Sequence, residues 1–162
     1  EYRKHWGASI GFSGRGEMIP NEKSYCELDP KTVDQWGIPV LRFHWEWSDH
    51  ELLQVKHMQE TFRTLLKEMG AEVRSNMPTK EQGYGIATGG AIIHELGCVR
   101  MGDNPTTSAL NANCQAWDCK NLFVADGGPF VSQADKNPTW TILALSMRTS
   151  RYIAQQRKEG KL

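Results

Sequence analysis

The residues best suited to chemistry lie in the second half of this sequence, and the first of them is His94. It precedes a segment, residues 97–102, with the sequence Gly-Cys-Val-Arg-Met-Gly. A neutral imidazole can accept a proton from a hydroxyl group, which is the work of a general base. A single histidine before a glycine loop is more often a hydrogen-bonded structural residue. His94 alone is therefore only a candidate.

A second segment combines an apolar run with two glycines. Residues 121–125 (Asn-Leu-Phe-Val-Ala) predict a buried strand, and residues 126–128 (Asp-Gly-Gly) follow it. In nucleotide-binding sheets the ligand lies at the carboxyl ends of the strands, and glycines there let a backbone approach it closely. An ordinary junction between a strand and a turn is the alternative interpretation.

A third segment, Asn137-Pro138-Thr139, opens a helix. Asparagine is favoured as a helix N-cap and proline at the first helical position, so these residues could serve only to begin the helix. The helix that follows is apolar, and its positive N-terminal end would suit an anion or a developing negative charge.

Taken together, in this order, the three segments resemble the C-terminal signature of the GMC (glucose–methanol–choline) oxidoreductases. That signature has a histidine, a Gly-Thr/Cys-x-Arg-Met-Gly stretch, an Asn-Leu-x-Val-x-Asp strand and a helix that begins at Asn-Pro or His. The usual threonine after the first glycine is Cys98 here. Residues 16–20 and 36–39 also resemble the sugar and polyol dehydrogenase branch of the family.

The resemblance implies an FAD-dependent enzyme that oxidises the CH–OH group of a sugar, polyol or other alcohol by hydride transfer to the flavin. It assigns the general base to His94 and a hydrogen bond to the same substrate oxygen to Asn137. The residues that it places at the FAD are Asp126, Gly127, Asn137, Pro138 and Thr139. Both dehydrogenase and oxidase activity are compatible with these motifs, so the electron acceptor stays open.

The family's dinucleotide fingerprint, G-x-G-x-x-G after a strand, does not occur in this sequence. Gly14 and Gly16 do not supply it, because no helix is predicted after them. We therefore expect this chain to be the C-terminal part of a longer enzyme that needs its N-terminal remainder. The sequence begins with Glu1 rather than Met, so it carries no information about a targeting signal.

The remaining elements predict how the motifs are positioned. Alternation over residues 41–47 predicts a half-buried antiparallel strand, with Leu41, Phe43, Trp45 and Trp47 on one face. Ser48 and Glu51 form a capping-box pattern that begins a helix, and Gly70 is placed to end it.

Two further elements are predicted after this helix. Residues 71–74 predict a short strand. Residues 138–156 predict a helix that is apolar on nearly all sides in its first half, and hence buried.

These elements predict an α/β chain. The resemblance makes residues 1–93 a portion of an α+β substrate-binding domain with an antiparallel sheet. Residues 94–162 would be the C-terminal part of a Rossmann-like FAD-binding domain, packed against it.

The overall composition argues against several other classes of function. The chain has 19 Lys+Arg and 19 Asp+Glu, which gives no electrostatic reason to expect nucleic acid or an anionic membrane as a partner. No stretch approaches the roughly 20 apolar residues of a membrane span. Two alternatives remain: a non-catalytic GMC-like binding or structural domain, and a metal site. The metal site would use His94, Cys98, Cys114 and Cys119, but their spacing fits no common zinc pattern and no metal is expected.

Overall fold

The computed structural model describes residues 3–4, 6–132 and 134–162. It contains two strands, β1 (Tyr25–Val33) and β2 (Pro39–His44), and two long helices, α1 (Asp49–Glu68) and α2 (Thr139–Lys158). A short 3-10 helix covers Gly83–Gly85. The combination of helices with an antiparallel sheet agrees with the predicted mixture. In the described part of the chain that sheet has two strands and no parallel sheet accompanies it.

The chain divides into two compact units. The first, called the α1 unit here, joins the residues up to Gly16 to Ser48–Ile86. The second, the α2 unit, joins Glu17–Trp47 to Ala87–Leu162. The three segments with candidate chemistry therefore all belong to the α2 unit. The functional boundary expected at residue 93 stays a prediction.

Helix α1 begins and ends where local sequence signals place it. Glu51 accepts a hydrogen bond from the Ser48 backbone N–H at 2.8 Å, and Ser48 accepts one in return from the first turn. At the other end Gly70 has a φ of 74°, and the N–H groups of Gly70 and Ala71 bond to carbonyls of the last turn at 2.9 Å. This is the Schellman arrangement, which needs a left-handed residue that glycine supplies most easily.

The antiparallel sheet differs from its prediction in extent and burial. β2 ends at His44, so Trp45 and Trp47 lie beyond the strand. Its partner β1 was not predicted, and the two strands pair Cys26 with Phe43 and Leu28 with Leu41. The apolar side chains of this face are open rather than half-buried, with Leu41 57% and Phe43 61% exposed.

Two other predicted strands are wrong in the described structure. Residues 71–74 make no strand pairing. Residues 121–125 contribute one isolated bridge, between Phe123 and Gln115, instead of a buried strand. Leu122 is 52% exposed, and the backbone of this run bonds to the segment around Cys114 and Ala116.

Helix α2 is buried along one stripe and not on all sides. Thr149 is fully covered, and Ile142, Leu145 and Tyr152 on the same stripe are half-buried. The opposite stripe is open to solvent, and it consists of Trp140 (83% exposed), Leu143 (55%) and Met147 (57%). The prediction of a fully buried helix is therefore wrong for the described structure. Among the described residues, no helix has the length and apolar character to cross a bilayer.

Candidate active site

The segment that follows His94 is joined to the Asp-Gly-Gly turn by a backbone ladder. The N–H groups of residues 97, 99 and 101 donate to the carbonyls of residues 127, 128 and 129 at 3.1, 3.1 and 2.9 Å. The Asp126 carboxylate closes the turn itself by accepting the Gly128 N–H at 2.7 Å. Two segments some 30 residues apart in sequence are thus fixed beside each other.

Glycine at position 127 permits the three motif segments to meet. A Cβ atom on Gly127 would lie 2.2 Å from Cδ2 of Leu96 and 3.6 Å from Cδ1 of Ile142. Leu96 follows His94 by two residues, and Ile142 lies in the first turn of α2, close to Asn137. The structure therefore brings the His94 segment, the glycine turn and the start of α2 together around one residue without a side chain.

A second glycine, Gly97, is required by its backbone as well as by its surroundings. Its φ of +86° lies in the left-handed region, and a Cβ there would stand 3.0 Å from the Phe130 carbonyl oxygen. Residues that carry a Cβ atom are strained in this backbone conformation. The backbone angle and the nearby carbonyl together explain why this position of the motif is a glycine.

His94 is half-buried, and no hydrogen-bond partner for its ring lies in the described part of the chain. A structural histidine is normally held by such a bond, because a buried polar group without one is costly. The convergence of the His94 and Asn137 side chains on one cavity stays a prediction.

The N-terminal end of α2 is open. Its cap is Pro138, whose carbonyl accepts the first helical bond from Ile142 at 2.9 Å, and no side chain caps the helix. Asn137 is exposed and stands one residue before the cap, so it does not serve as the N-cap suggested by its sequence. The first free N–H groups of the helix, at residues 139–141, have no acceptor among the described residues. An uncapped helix N-terminus is suited to negative charge.

Helix α2 is held against the motif loop by side chains in its middle. Arg148 donates to the Ala112 carbonyl and lies 3.6 Å from the Met101 sulfur. Thr149 donates to the Asn113 carbonyl at 3.3 Å. Since Met101 ends the ladder described above, these contacts tie α2 and the His94 segment to the same loop.

The thiol of Cys98 is not set up as a nucleophile. Cys98 is exposed at the surface, but partial desolvation and then the neighbouring thiol of Cys26 raise the pKa of its thiol above the ordinary value of a cysteine. A thiol in such surroundings stays protonated at neutral pH and reacts slowly. All four cysteines are free. Across residues 3–4, 6–132 and 134–162, no three His, Cys, Asp or Glu side chains gather closely enough to hold a metal ion.

An aromatic pair beside the run that leads to His94 was not singled out from the sequence. The rings of Trp45 and Trp47 meet edge to face at 5.3 Å, and the Trp47 indole donates to the Ala87 carbonyl at 3.0 Å. A Cβ on Gly89 would lie 2.4 Å from the Trp45 ring. The sequence signal was available as a Trp-x-Trp pattern and a Gly-Gly pair, but nothing in it shows that the two meet.

Comparison with known proteins agrees with the motifs. The model of the GMC oxidoreductase family, in its C-terminal domain, matches residues 20–146. A 2-methyl-1,2-propanediol dehydrogenase of Mycolicibacterium austroafricanum is 31% identical over 155 residues, covering 96% of this chain and 27% of the relative. A gluconate 2-dehydrogenase flavoprotein of Pantoea cypripedii is 28% identical over 147 residues, covering 91% of this chain and 24% of the relative.

A C-glycoside 3-oxidase of Arthrobacter globiformis is 32% identical over 132 residues, covering 80% of this chain and 24% of the relative. The chain thus spans about a quarter of the length of the curated relatives it matches. Both dehydrogenases and oxidases occur among these relatives.

Proposed function

Because this chain belongs to the GMC oxidoreductase family, we propose that it forms the C-terminal, catalytic part of an FAD-dependent enzyme that oxidises a sugar, polyol or other alcohol. Members of the family oxidise alcohol or sugar groups. The observation that carries the proposal is the meeting of Leu96, Gly127 and Ile142, which places the three motif segments side by side. Bound FAD would supply the two-electron acceptor for the hydride that leaves the alcohol carbon.

In this proposal His94 accepts the proton of the substrate hydroxyl. Among the pair of candidates it alone can act as a base near neutral pH, because an amide such as Asn137 has no titratable group there. The absence of a fixed hydrogen bond on the His94 ring, in the described part of the chain, leaves a ring nitrogen available to the substrate. The ladder from Gly97 to Met101 holds the segment that carries it.

Asn137 would orient the same hydroxyl group by a hydrogen bond. Its position supports this role, since it is exposed just before the helix and leaves the capping position to Pro138. The uncapped N–H groups of α2 would face negative charge, and a helix N-terminus stabilises such charge by about 0.3–2 kcal/mol. The residues that would hold the flavin are Asp126, Gly127, Asn137, Pro138 and Thr139.

We propose that residues 94–162 complete a Rossmann-like FAD-binding domain and that residues 1–93 belong to the substrate-binding domain. Two apolar faces of the chain are exposed and could be covered by another part of the enzyme. One is the stripe of Trp140, Leu143 and Met147 on α2, and the other is the exposed face of β2. Contiguous apolar surface of this kind is usually covered in the working protein. We propose that the remainder of a longer enzyme covers these faces, since the chain spans about a quarter of the length of its relatives.

The isolated 162-residue chain is expected to bind FAD weakly, with a dissociation constant above the micromolar range. The reason is that the glycine fingerprint and helix that bind the FAD pyrophosphate are not in this sequence. Titration of the chain into FAD, followed by flavin fluorescence, measures the affinity. Riboflavin serves as the control for stacking without phosphate contacts. Submicromolar binding of FAD would show that the chain contains a complete site.

In the full-length flavoprotein, Asn137→Ala is expected to slow flavin reduction by the alcohol roughly 2- to 10-fold. This corresponds to the loss of one hydrogen bond, about 0.5–1.5 kcal/mol. The pH dependence of the rate should not change, because asparagine does not titrate. Stopped-flow flavin absorbance measures both. Asn137→His, which keeps a hydrogen-bonding side chain, is the matched control and should retain most of the parental rate.

A non-catalytic GMC-like binding domain is the second candidate. The intact His94 and Asn137 argue against it. A colourless full-length protein, with no bound flavin after purification, would favour it over the enzyme.

A further inference from the structure

Two cysteine thiols join β1 to the segment that follows His94. Cys26 lies in β1, and Cys98 lies between the ladder residues Gly97 and Val99. The two side chains are in hydrogen-bond contact, thiol to thiol. Since these cysteines are far apart in sequence, the tertiary structure is what brings them together. The catalytic role proposed for the His94 segment uses neither of them.

The backbones that carry the two thiols are held by separate hydrogen-bond systems. Cys26 pairs with Phe43 across the antiparallel sheet. Cys98 is flanked by the N–H groups of Gly97 and Val99, which donate to carbonyls of the Asp-Gly-Gly turn at 3.1 Å. A disulfide forms without moving the backbone only where two cysteines already face each other at short range. The contact between these thiols meets that requirement, and the two hydrogen-bond systems maintain it.

The other two cysteines are in different surroundings. Cys119 donates its thiol to Oδ1 of Asn121 at 3.1 Å, and Cys114 is fully buried. Cys98 is exposed and Cys26 is half-buried, so a small reagent in solvent can reach them. The pair of Cys26 and Cys98 thus combines a neighbouring thiol with access from solvent, and both are needed for a disulfide that forms and breaks in the folded protein.

We propose that Cys26 and Cys98 form a reversible disulfide that fastens the His94 segment to β1. The oxidant is a low-molecular-weight disulfide such as glutathione disulfide. One protein thiolate attacks it, forms a mixed disulfide and releases one molecule of reduced thiol. The second protein thiol then attacks the mixed disulfide and releases another. The two electrons and the two protons of the protein thiols thus end on the two released thiols.

Cys26 is the thiol expected to attack first. The raised pKa of the Cys98 thiol disfavours its thiolate, which is the attacking form. Once Cys26 is in a mixed disulfide it carries no thiolate, and one cause of the raised pKa of Cys98 is removed. The second step is also intramolecular, so a small population of Cys98 thiolate is sufficient. Slow reaction of Cys98 with external reagents is therefore compatible with closure of the pair.

This site goes beyond the proposed oxidation of an alcohol and does not depend on it, because its thiols exchange electrons with glutathione disulfide and not with a flavin. The test uses the full-length protein that contains this chain, equilibrated in buffers of reduced and oxidised glutathione. Free thiols are then blocked with iodoacetamide, and tryptic peptides are identified by mass spectrometry without reduction.

Trypsin separates the cysteines in a way that identifies each linkage. The peptides of this chain that contain cysteine are residues 24–31 with Cys26, residues 81–100 with Cys98, and residues 101–120 with Cys114 and Cys119. A link between the first two peptides has a mass of its own. A link within the third peptide, or between it and another, is distinguished in the same spectrum.

At equal concentrations of the two forms of glutathione, the expected major product is the peptide pair joined through Cys26 and Cys98. Excess dithiothreitol should separate it completely. Cys98→Ser should instead collect glutathione on Cys26, because the thiol that closes the disulfide is missing. Cys119→Ser is the matched control and should form the same link as the unsubstituted protein.

Hydrogen exchange reports whether the link fastens the His94 segment. The ladder must open before its N–H groups can exchange, so oxidation should slow exchange over residues 97–101 at least about tenfold. In Cys98→Ser the same oxidising buffer should leave exchange over these residues unchanged. The comparison separates the effect of the link from the effect of the buffer.

Three results would overturn the proposal. The first is glutathione on Cys26 and Cys98 separately, with no joined peptide at equilibrium. The second is a main product in which either cysteine is linked to another cysteine. The third is a joined pair with unchanged exchange over residues 97–101, since the link would then fasten nothing. Flavin reduction enters none of these measurements, so they leave the catalytic role of His94 to its own test.

Discussion

In the full-length flavoprotein, His94→Ala is expected to slow the reduction of the flavin by an alcohol by about 10²–10⁴-fold. This is equivalent to roughly 3–5.5 kcal/mol in the barrier. The reason is that the hydroxyl proton would lose its acceptor, while the flavin contacts proposed at Asp126, Gly127 and Pro138 would be unchanged. Stopped-flow flavin absorbance gives the rate, and the amount of FAD retained on gel filtration shows whether cofactor binding survives.

The pH profile separates a base from a structural residue. In the unsubstituted full-length protein, flavin reduction should become slower as the pH falls, because a protonated imidazole cannot accept another proton. His94→Ala should lose this acidic limb, and added imidazole should restore part of its rate. His57→Ala, an exposed histidine on α1, is the control and should behave as the parent. If His94→Ala reduced the flavin at the parental rate with the same acidic limb, the proton acceptor would have to be another group.

The helices illustrate what local sequence can determine. The bounds of α1 follow from the Ser48–Glu51 capping box and the glycine at position 70, and both signals act within a few residues of the helix ends. At α2 the local signals predict the helix but place its N-cap one residue too early. Pro138, and not Asn137, supplies the carbonyl that accepts the first helical hydrogen bond.

Burial could not be predicted in the same way, since it depends on what covers a surface. The alternating pattern of residues 41–47 and the apolar first half of α2 both indicated a core, yet Phe43 and Trp140 are exposed. This chain spans about a quarter of the length of its relatives. The apolar pattern therefore predicts which faces are suited to packing. It does not predict which other segment, if any, packs against them.

For the candidate site, the sequence motifs identified the residue types but not the reason for the glycines. The approach of Leu96 and Ile142 to Gly127, and that of Trp45 to Gly89, join residues far apart in sequence. Neither contact follows from helix or strand periodicity. The resemblance to a family supplied the order of the motifs, and the three-dimensional structure supplied their packing.

Gly97→Ala is expected to lower the free energy of unfolding of the chain by about 2–5 kcal/mol. A left-handed backbone costs a residue with a Cβ roughly 1–2 kcal/mol, and crowding in a packed region typically costs about 1–3 kcal/mol. Both apply at Gly97, where φ is +86° and the new Cβ would stand 3.0 Å from the Phe130 carbonyl oxygen. Because that carbonyl belongs to the backbone beside the ladder, it cannot turn away as a side chain would. Urea unfolding followed by tryptophan fluorescence measures the loss.

The matched control is Gly90→Ala in the same unit. Gly90 has a φ of +79° but nothing within 4 Å of the added atom, so it should show the backbone cost without the crowding. The difference between the two variants then measures the close approach that holds the His94 segment against Phe130. In the full-length protein, Gly97→Ala should also slow flavin reduction, whereas Gly90→Ala should do so much less. Equal losses of stability in the two variants would mean that the segment moves freely to accommodate a side chain, and that the ladder does not hold His94 in a fixed position.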